Sequence, residues 1–224
     1  IDYNKIMIFY HGSKKVIDKP KAKGSSYDND YGPSLYLTID IESAKEWACK
    51  NNEVGIVNKY AIRKSDFDSF KILDLTGKDE KTILTWLAIL MHFRKVDQSI
   101  KQTLKNRFDW LEKYYVDVNE YDVIKGYRAD DSYFKFPLKF ITRFLSYENL
   151  LKVFKLGNLG IQYAFMSERA IEKLKFQSYS KCDQEYIGRY YTIVKKASEE
   201  FENMINQPLN DDETFITDLM EKNK

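Results

Sequence analysis

The 224 residues, 43% hydrophobic and 31% charged, exclude a disordered chain and give no support to a membrane protein, and the length suits one compact body with appended helices. Lysine and arginine number 36 against 34 acidic residues, an excess too small to demand a nucleic-acid partner. The stretch from Glu199 to Lys224 holds a net −6 and leaves +8 on the remainder, so a polyanionic partner for the body and a plainly solvated acidic helix end are both open.

Ile6 to Tyr10 is a β-branched and aromatic run that predicts a buried strand delivering His11-Gly12-Ser13 to a loop. Lys14 to Pro33, with Gly24, Ser25, Ser26 and Asp28 to Asp30, predicts a long surface loop of a kind that commonly carries function. Leu35 to Thr38 reads as extended, and Ile41, Ala44, Trp47 and Ala48 fall at helical spacing behind the cap candidate Asp40. Gly55 to Ile62 and Phe70 to Leu75 predict two further strands. From Lys78 to Tyr115 the pattern changes to two amphipathic helices, one with Trp86, Leu87, Leu90 and Phe93, the other with Leu104, Phe108 and Leu111. A strand returns at Val123 to Tyr127, helices follow over Phe136 to Leu145 and Tyr147 to Phe154, and Gln162 to Met166 with Leu174 to Phe176 supply the last strand signals. Glu185 to Asn206 reads as a long helix ending before Pro208, and Glu213 to Lys222 as a short one. The sum is an α+β body with strands at both ends and a helical insertion between them.

A histidine leaving a strand can donate to or accept from a ligand hydroxyl, and the glycine after it lets a ligand approach bare backbone, so His11 and Gly12 are the first candidates for a site. His92, inside the helix led by Trp86, reads as a packed core histidine. Cys49 and Cys182 lie far apart with no metal-ligand spacing, which predicts reduced structural thiols, no metal and, without a secretory leader pattern, a cytoplasmic protein. No apolar run approaches the ~20 residues that span a bilayer, and the start at Ile1 predicts that a few native residues precede it. Asp130 and Asp131 read either as a helix cap or as acids placed for chemistry. Arg128 reads either as a phosphate contact or as an ordinary surface ion pair, and Lys139, Arg143, Lys152 and Lys155 read as a solvated basic face.

The order of His11-Gly12-Ser13, a variable loop, Tyr31-Gly32-Pro33-Ser34-Leu35-Tyr36-Leu37-Thr38 and a helix opening with Ser43-Ala44 resembles the H-Y-E clade of ADP-ribosyltransferases, which holds the poly(ADP-ribose) polymerases and diphtheria-type toxins. Closer still is a resemblance to an uncharacterised bacterial branch of that superfamily found beside small antitoxin-like partners. It is carried by Tyr121 to Phe134, by Leu156 to Tyr163 and by Ser167-Glu168-Arg169-Ala170, and it spans Tyr10 to Phe176. The resemblance implies a split β-sheet core over residues 1–180 with a helical insertion at about 78–116, and a helical extension over 181–224. It also implies NAD as substrate, a macromolecular acceptor of protein or nucleic acid, and a cognate antitoxin. His11 would bond the adenosine-side ribose, Gly12 backbone would hold the carboxamide, and Tyr36 would stack on nicotinamide with Trp47 or Tyr31 as second wall. Ser13, Ser43 and Arg128 would complete the NAD contacts, and Gln162 would hold the hydroxyl of the reacting ribose. Since the ring does the stacking, Tyr36→Phe is expected to weaken NAD binding only mildly.

Two departures stand out: Ser34 where many relatives have a second glycine, and Gln162 where the polymerases have glutamate, a feature that the bacterial branch shares. Breaking the nicotinamide bond develops an oxocarbenium-like ribose, as in glycoside hydrolysis. Glutamine has no charge and cannot serve as general base, so the acceptor is either intrinsically nucleophilic or deprotonated by another group, a role for which Asp130 and Asp131 are the candidates. A non-catalytic NAD-binding or protein-interaction module, and an NAD glycohydrolase, remain the alternatives.

Overall fold

The structure, a computed structural model, describes residues 5–129, 135–153, 160–207 and 212–223. Ile6–Ser13 forms β1 and, after the long polar loop, Leu35–Leu37 forms β2. Asp40 caps α1 (Ile41–Ala48), its carboxylate accepting from the Glu42 and Ser43 amides. β3 (Ile56–Arg63) runs straight into the short α2 (Lys64–Asp68), and β4 (Ile72–Asp74) leads to the helical insertion. There α3 (Glu80–Phe93), capped by Asp79, is buried at every position from Ile83 to Met91, as expected of a helix apolar on all sides. α4 (Gln98–Thr103) and α5 (Lys105–Glu112) complete the insertion. β5 (Val123–Tyr127), α6 (Lys135–Ile141), α7 (Tyr147–Val153), β6 (Ile161–Phe165), α8 (Glu168–Lys173) and β7 (Lys175–Lys181) follow, with α9 (Arg189–Ile205) and α10 (Ile216–Lys222) last.

The strands form two sheets, in the orders β1-β3-β7 and β2-β6-β5-β4, antiparallel except for the β4–β5 pair. They touch where Tyr10 and Thr38 exchange both backbone hydrogen bonds, at 2.7 and 2.9 Å. α1 lies directly on β1 because residue 12 is glycine: a Cβ there would stand 2.2 Å from the Ala44 carbonyl oxygen. One cluster of buried side chains from both sheets, including Phe9, Tyr60, Tyr163 and Phe165, fills the space between them. A larger one surrounds α3 and takes in Tyr31, Phe136, Phe140 and Leu150. Ala197, Phe201, Ile216 and Leu219 belong to that same cluster, so α9 and α10 share the core of the body.

The fold is α+β, as the alternation of patterns implies. Four details differ from the sequence reading. The insertion holds three helices, because the backbone at Leu104 (φ −108°, ψ 26°) interrupts the second. α2 and α8 are additional, each too short to show a hydrophobic period. β7 continues to Lys181 as an edge strand whose side chains are mostly exposed, so no apolar alternation marks it. His92 is exposed and stacks on the Tyr115 ring at 4.3 Å, a correction to its reading as a core residue.

Candidate functional site

Where the two sheets part, a cavity of about 210 Å³ opens between β1, β2, α1, the start of β6 and the segment after β5. His11, in register with Asn58, is fixed on its wall by a 2.7 Å hydrogen bond from Nδ1 to the Tyr36 carbonyl. A carbonyl only accepts, so Nδ1 carries the hydrogen. Burial pushes the ring's pKa below its usual value, against the smaller opposing effect of that bond. The imidazole is therefore neutral at pH 7, and Nε2 is the acceptor that it can offer a ligand. Behind it the wholly buried Asn58 binds the His11 and Lys15 carbonyls, the Ser13 hydroxyl and the Ile17 amide, lacing the long loop to β1.

Tyr36 also lines the cavity, with its hydroxyl turned inward to donate to the Gly32 carbonyl at 2.7 Å and to accept from the Tyr31 amide at 2.9 Å. Burial, and then the nearby Asp30 charge, push its pKa well above the ordinary phenol value. The hydroxyl thus has a structural task that the sequence reading did not give it. Tyr31 is not on the cavity wall. Fully buried, it donates to the Tyr127 carbonyl at 2.7 Å and accepts from Trp86 Nε1 at 3.2 Å, with its ring stacked beneath Tyr36.

Gln162 enters from β6 with its Nε2 2.7 Å from Asp30 Oδ2 and 3.5 Å from the Tyr127 carbonyl. Asp30 accepts from the Ala129 amide at 2.8 Å and pairs with Arg94 Nε at 3.3 Å. Arg94 in turn donates to the carbonyls of Asp28 and Ala129, both at 2.9 Å. All three side chains lie within one-tenth exposure of complete burial, at 8% for Gln162, 5% for Asp30 and 9% for Arg94. The sequence reading missed Asp30 and Arg94, and also Asn58, whose place inside the apolar run of β3 was the one local signal.

Trp47 lines the cavity from α1, with Lys50 Nζ 3.5 Å and Arg128 Cζ 5.3 Å from its ring centroid, and Tyr190 from α9 makes a T-shaped contact with it at 6.1 Å between centroids. Arg128 and Gly12 line the cavity too, though the missing side chain of Gly12 serves the contact with α1. Ser43 is on the wall but gives its hydroxyl to Asp40 at 2.6 Å. Ser13 stays off the wall, donating to the Lys15 carbonyl at 2.5 Å. Asp130 and Asp131 lie outside the described residues. The structure therefore brings His11, Gly12, Tyr36, Ser43, Trp47, Arg128 and Gln162 together and leaves Ser13 and Tyr31 behind them.

At the far end of β5 a second hub joins two of the segments singled out in the sequence. Asp122 accepts from the Ser167 hydroxyl at 2.6 Å, from Arg169 at 2.7 Å and from the Lys71 amide at 3.0 Å, and Ser167 also caps α8. Burial would raise the Asp122 pKa, but Ser167, the Lys71 amide and Arg169 together hold it below the usual carboxylate value. Cys49 and Cys182 fall in one small buried cluster under α1, where burial and then the neighbouring Cys49 thiol push Cys182 up to about 12.

Residues 7–176, from β1 into β7, match the model of a family described as a protein of unknown function, DUF3990. This chain belongs to the DUF3990 family. No curated protein and no solved structure matches it. Every residue on the cavity wall falls inside the DUF3990 segment, and the Tyr190 contact brings in a helix from beyond it. Among the described residues of this DUF3990 member, no group of three or more His, Cys, Asp or Glu is placed to hold a metal ion, and no helix is long and apolar enough to cross a membrane.

Proposed function

We propose that this DUF3990 chain is an ADP-ribosyltransferase that binds NAD in the cleft between its sheets, breaks the nicotinamide–ribose bond and passes ADP-ribose to a macromolecule. In this reading the two sheets are the split core of that superfamily. The protein acts in the cytoplasm as the toxin of a bacterial toxin–antitoxin pair. What supports the reading is one observation: His11 from β1, Tyr36 from β2 and Gln162 from β6, far apart in sequence, line a single cavity in the order expected of an NAD site.

The neutral His11 accepts a ribose hydroxyl at Nε2, the Gly12 backbone holds the carboxamide, and the nicotinamide ring lies against Tyr36 with Trp47 opposite. Gln162 accepts the hydroxyl of the reacting ribose. Nicotinamide leaves with the electron pair of its bond, the positive charge spreads over the ribose as an oxocarbenium ion, and an acceptor atom adds to that carbon and loses its proton. These contacts accelerate the step as far as they tighten while the charge develops. Arg128 and Lys50 offer positive charge to the pyrophosphate.

The decisive experiment incubates the protein with adenylate-labelled NAD and fractionated bacterial lysate. Label should enter a macromolecular fraction, and His11→Ala should abolish it. Release of free ADP-ribose alone would make the protein a glycohydrolase. Calorimetry that finds no NAD binding to folded protein would refute the reading altogether.

A further inference from the structure

Asp30 and Arg94 line the cavity beside Gln162, and neither has a role in the reading above. We propose that Asp30, held by Arg94, is a positioning residue that locks the Gln162 carboxamide with its oxygen as the cleft's acceptor, and that this lock makes glutamine the residue that suits position 162. The consequence for NAD rests on the proposed function, whereas the coupling of the two side chains rests on their geometry alone.

A carboxylate has no hydrogen to give, so the amide atom 2.7 Å from Asp30 Oδ2 has to be Nε2. Turning the amide over would set two acceptors against each other at that distance. The Tyr127 carbonyl, 3.5 Å from Nε2, disfavours the same turn. Asp30 is itself immobilised, because Oδ2 also takes the Ala129 amide and Oδ1 faces Arg94, whose other nitrogens grip two backbone carbonyls. What Gln162 retains for a ligand is Oε1, a neutral acceptor. The hub gathers the long loop, the end of α3, the end of β5 and the start of β6.

A glutamate in place of Gln162 would meet Asp30 in a site nearly closed to water. Two carboxylates that close share one proton, and one of them titrates far above its usual range. In its protonated form the introduced side chain would imitate glutamine, with the hydroxyl donating to Asp30 and the carbonyl accepting from the ligand. Ionisation would end the imitation.

The test compares melting temperatures of wild type, Gln162→Glu and the pair Asp30→Asn with Gln162→Glu from pH 5 to 9. The single variant should lose stability relative to wild type as pH rises above ~4.3, the ordinary glutamate value, until its raised pKa is passed. The double variant, in which the two carboxylates no longer face each other, should lose most of that slope and keep only the part due to burial of the glutamate itself. A constant offset between the single variant and wild type across the range would overturn the lock. If Gln162→Glu fails to fold, soluble yield replaces melting, and a double variant that recovers none of it overturns the proposal equally. For the ligand, wild type should favour NAD over an analogue lacking the 2′-hydroxyl of the nicotinamide ribose by about tenfold or more, the scale of leaving a buried polar group unpaired. Asp30→Asn should bring that ratio towards one, and a ratio that survives the change overturns positioning. Wild type that binds neither compound refutes the NAD reading and leaves the melting comparison standing.

Discussion

Asp122 and Asp30 sit at opposite ends of the β5–β6 ladder, each accepting from one backbone amide and one polar side chain and pairing with one arginine. At the Asp122 end the partners are Ser167 and Arg169, and the arginine side chain is more than half exposed at 55%. At the Asp30 end the partners are Gln162 and Arg94, all nearly closed to water, and the hub forms the inner end of a cavity. One carboxylate ties the start of β5 to the segment after β6 beside solvent. The other has its geometry fixed from behind and its neutral partner turned to the cleft. Similar chemistry serves cohesion in one place and the aim of a polar group in the other, and water access separates the two.

The largest expected effect falls on the closed hub. Arg94→Ala leaves Asp30 charged and buried without its counter-ion, which should cost ~3 to 5 kcal/mol in urea unfolding. Next comes Tyr36→Phe, which strips partners from the Tyr31 amide and the Gly32 carbonyl. A loss of ~1 to 3 kcal/mol of folding stability is expected from the unsatisfied groups, an effect separate from the mild change in NAD binding that a stacking ring implies. A stability unchanged by Tyr36→Phe would mean that water replaces the hydroxyl. At the open hub, Arg169→Ala should cost only ~0 to 1 kcal/mol, the range for exposed pairs. If Arg169→Ala and Arg94→Ala prove equally damaging, solvent access is not what divides the two hubs.

The gentlest probe is pH, and it addresses two distinct windows. His11 has its folded pKa lowered by burial, so the unfolded chain takes up the proton first. Stability should be complete above ~6.5, decline as pH falls below that value, and level off beneath the folded pKa. His11→Gln should flatten this part of a melting profile. Asp122, with its folded pKa depressed, contributes fully above ~3.9 and loses that contribution as pH falls through the folded value. Asp122→Asn should remove the second decline and leave the first.

Elements whose signals are local were legible in the sequence. Asp40 ahead of Ile41, Ala44, Trp47 and Ala48 defines α1 within one short window, and the apolar run of β1 places His11 at the strand's end. The closed hub was not legible, because its members are 132 residues apart at the Asp30–Gln162 bond. In sequence Asp30 is one more acid in a polar loop, and Arg94 is a cation at a helix terminus; the side-chain partners that join them to the hub lie beyond the reach of any local pattern. Tyr31 shows the converse error. Its position beside Gly32 resembles a binding-site wall, but residue 126 is a glycine whose Cβ would stand 2.2 Å from the Tyr31 hydroxyl, and so the ring sinks into the core.

Ala197, Phe201, Ile216 and Leu219 lie in the cluster around α3, and Tyr190 backs Trp47 on the cleft wall. Synthesis runs from the amino end, so every other described element leaves the ribosome before these side chains do. Until they arrive, the growing chain holds the apolar surfaces of α3 and α6 open, the condition in which nascent proteins aggregate or recruit chaperones. The wall that carries Trp47 is likewise unsupported during that interval. Completion of the core and of the cleft is thereby postponed until α9 and α10 have emerged.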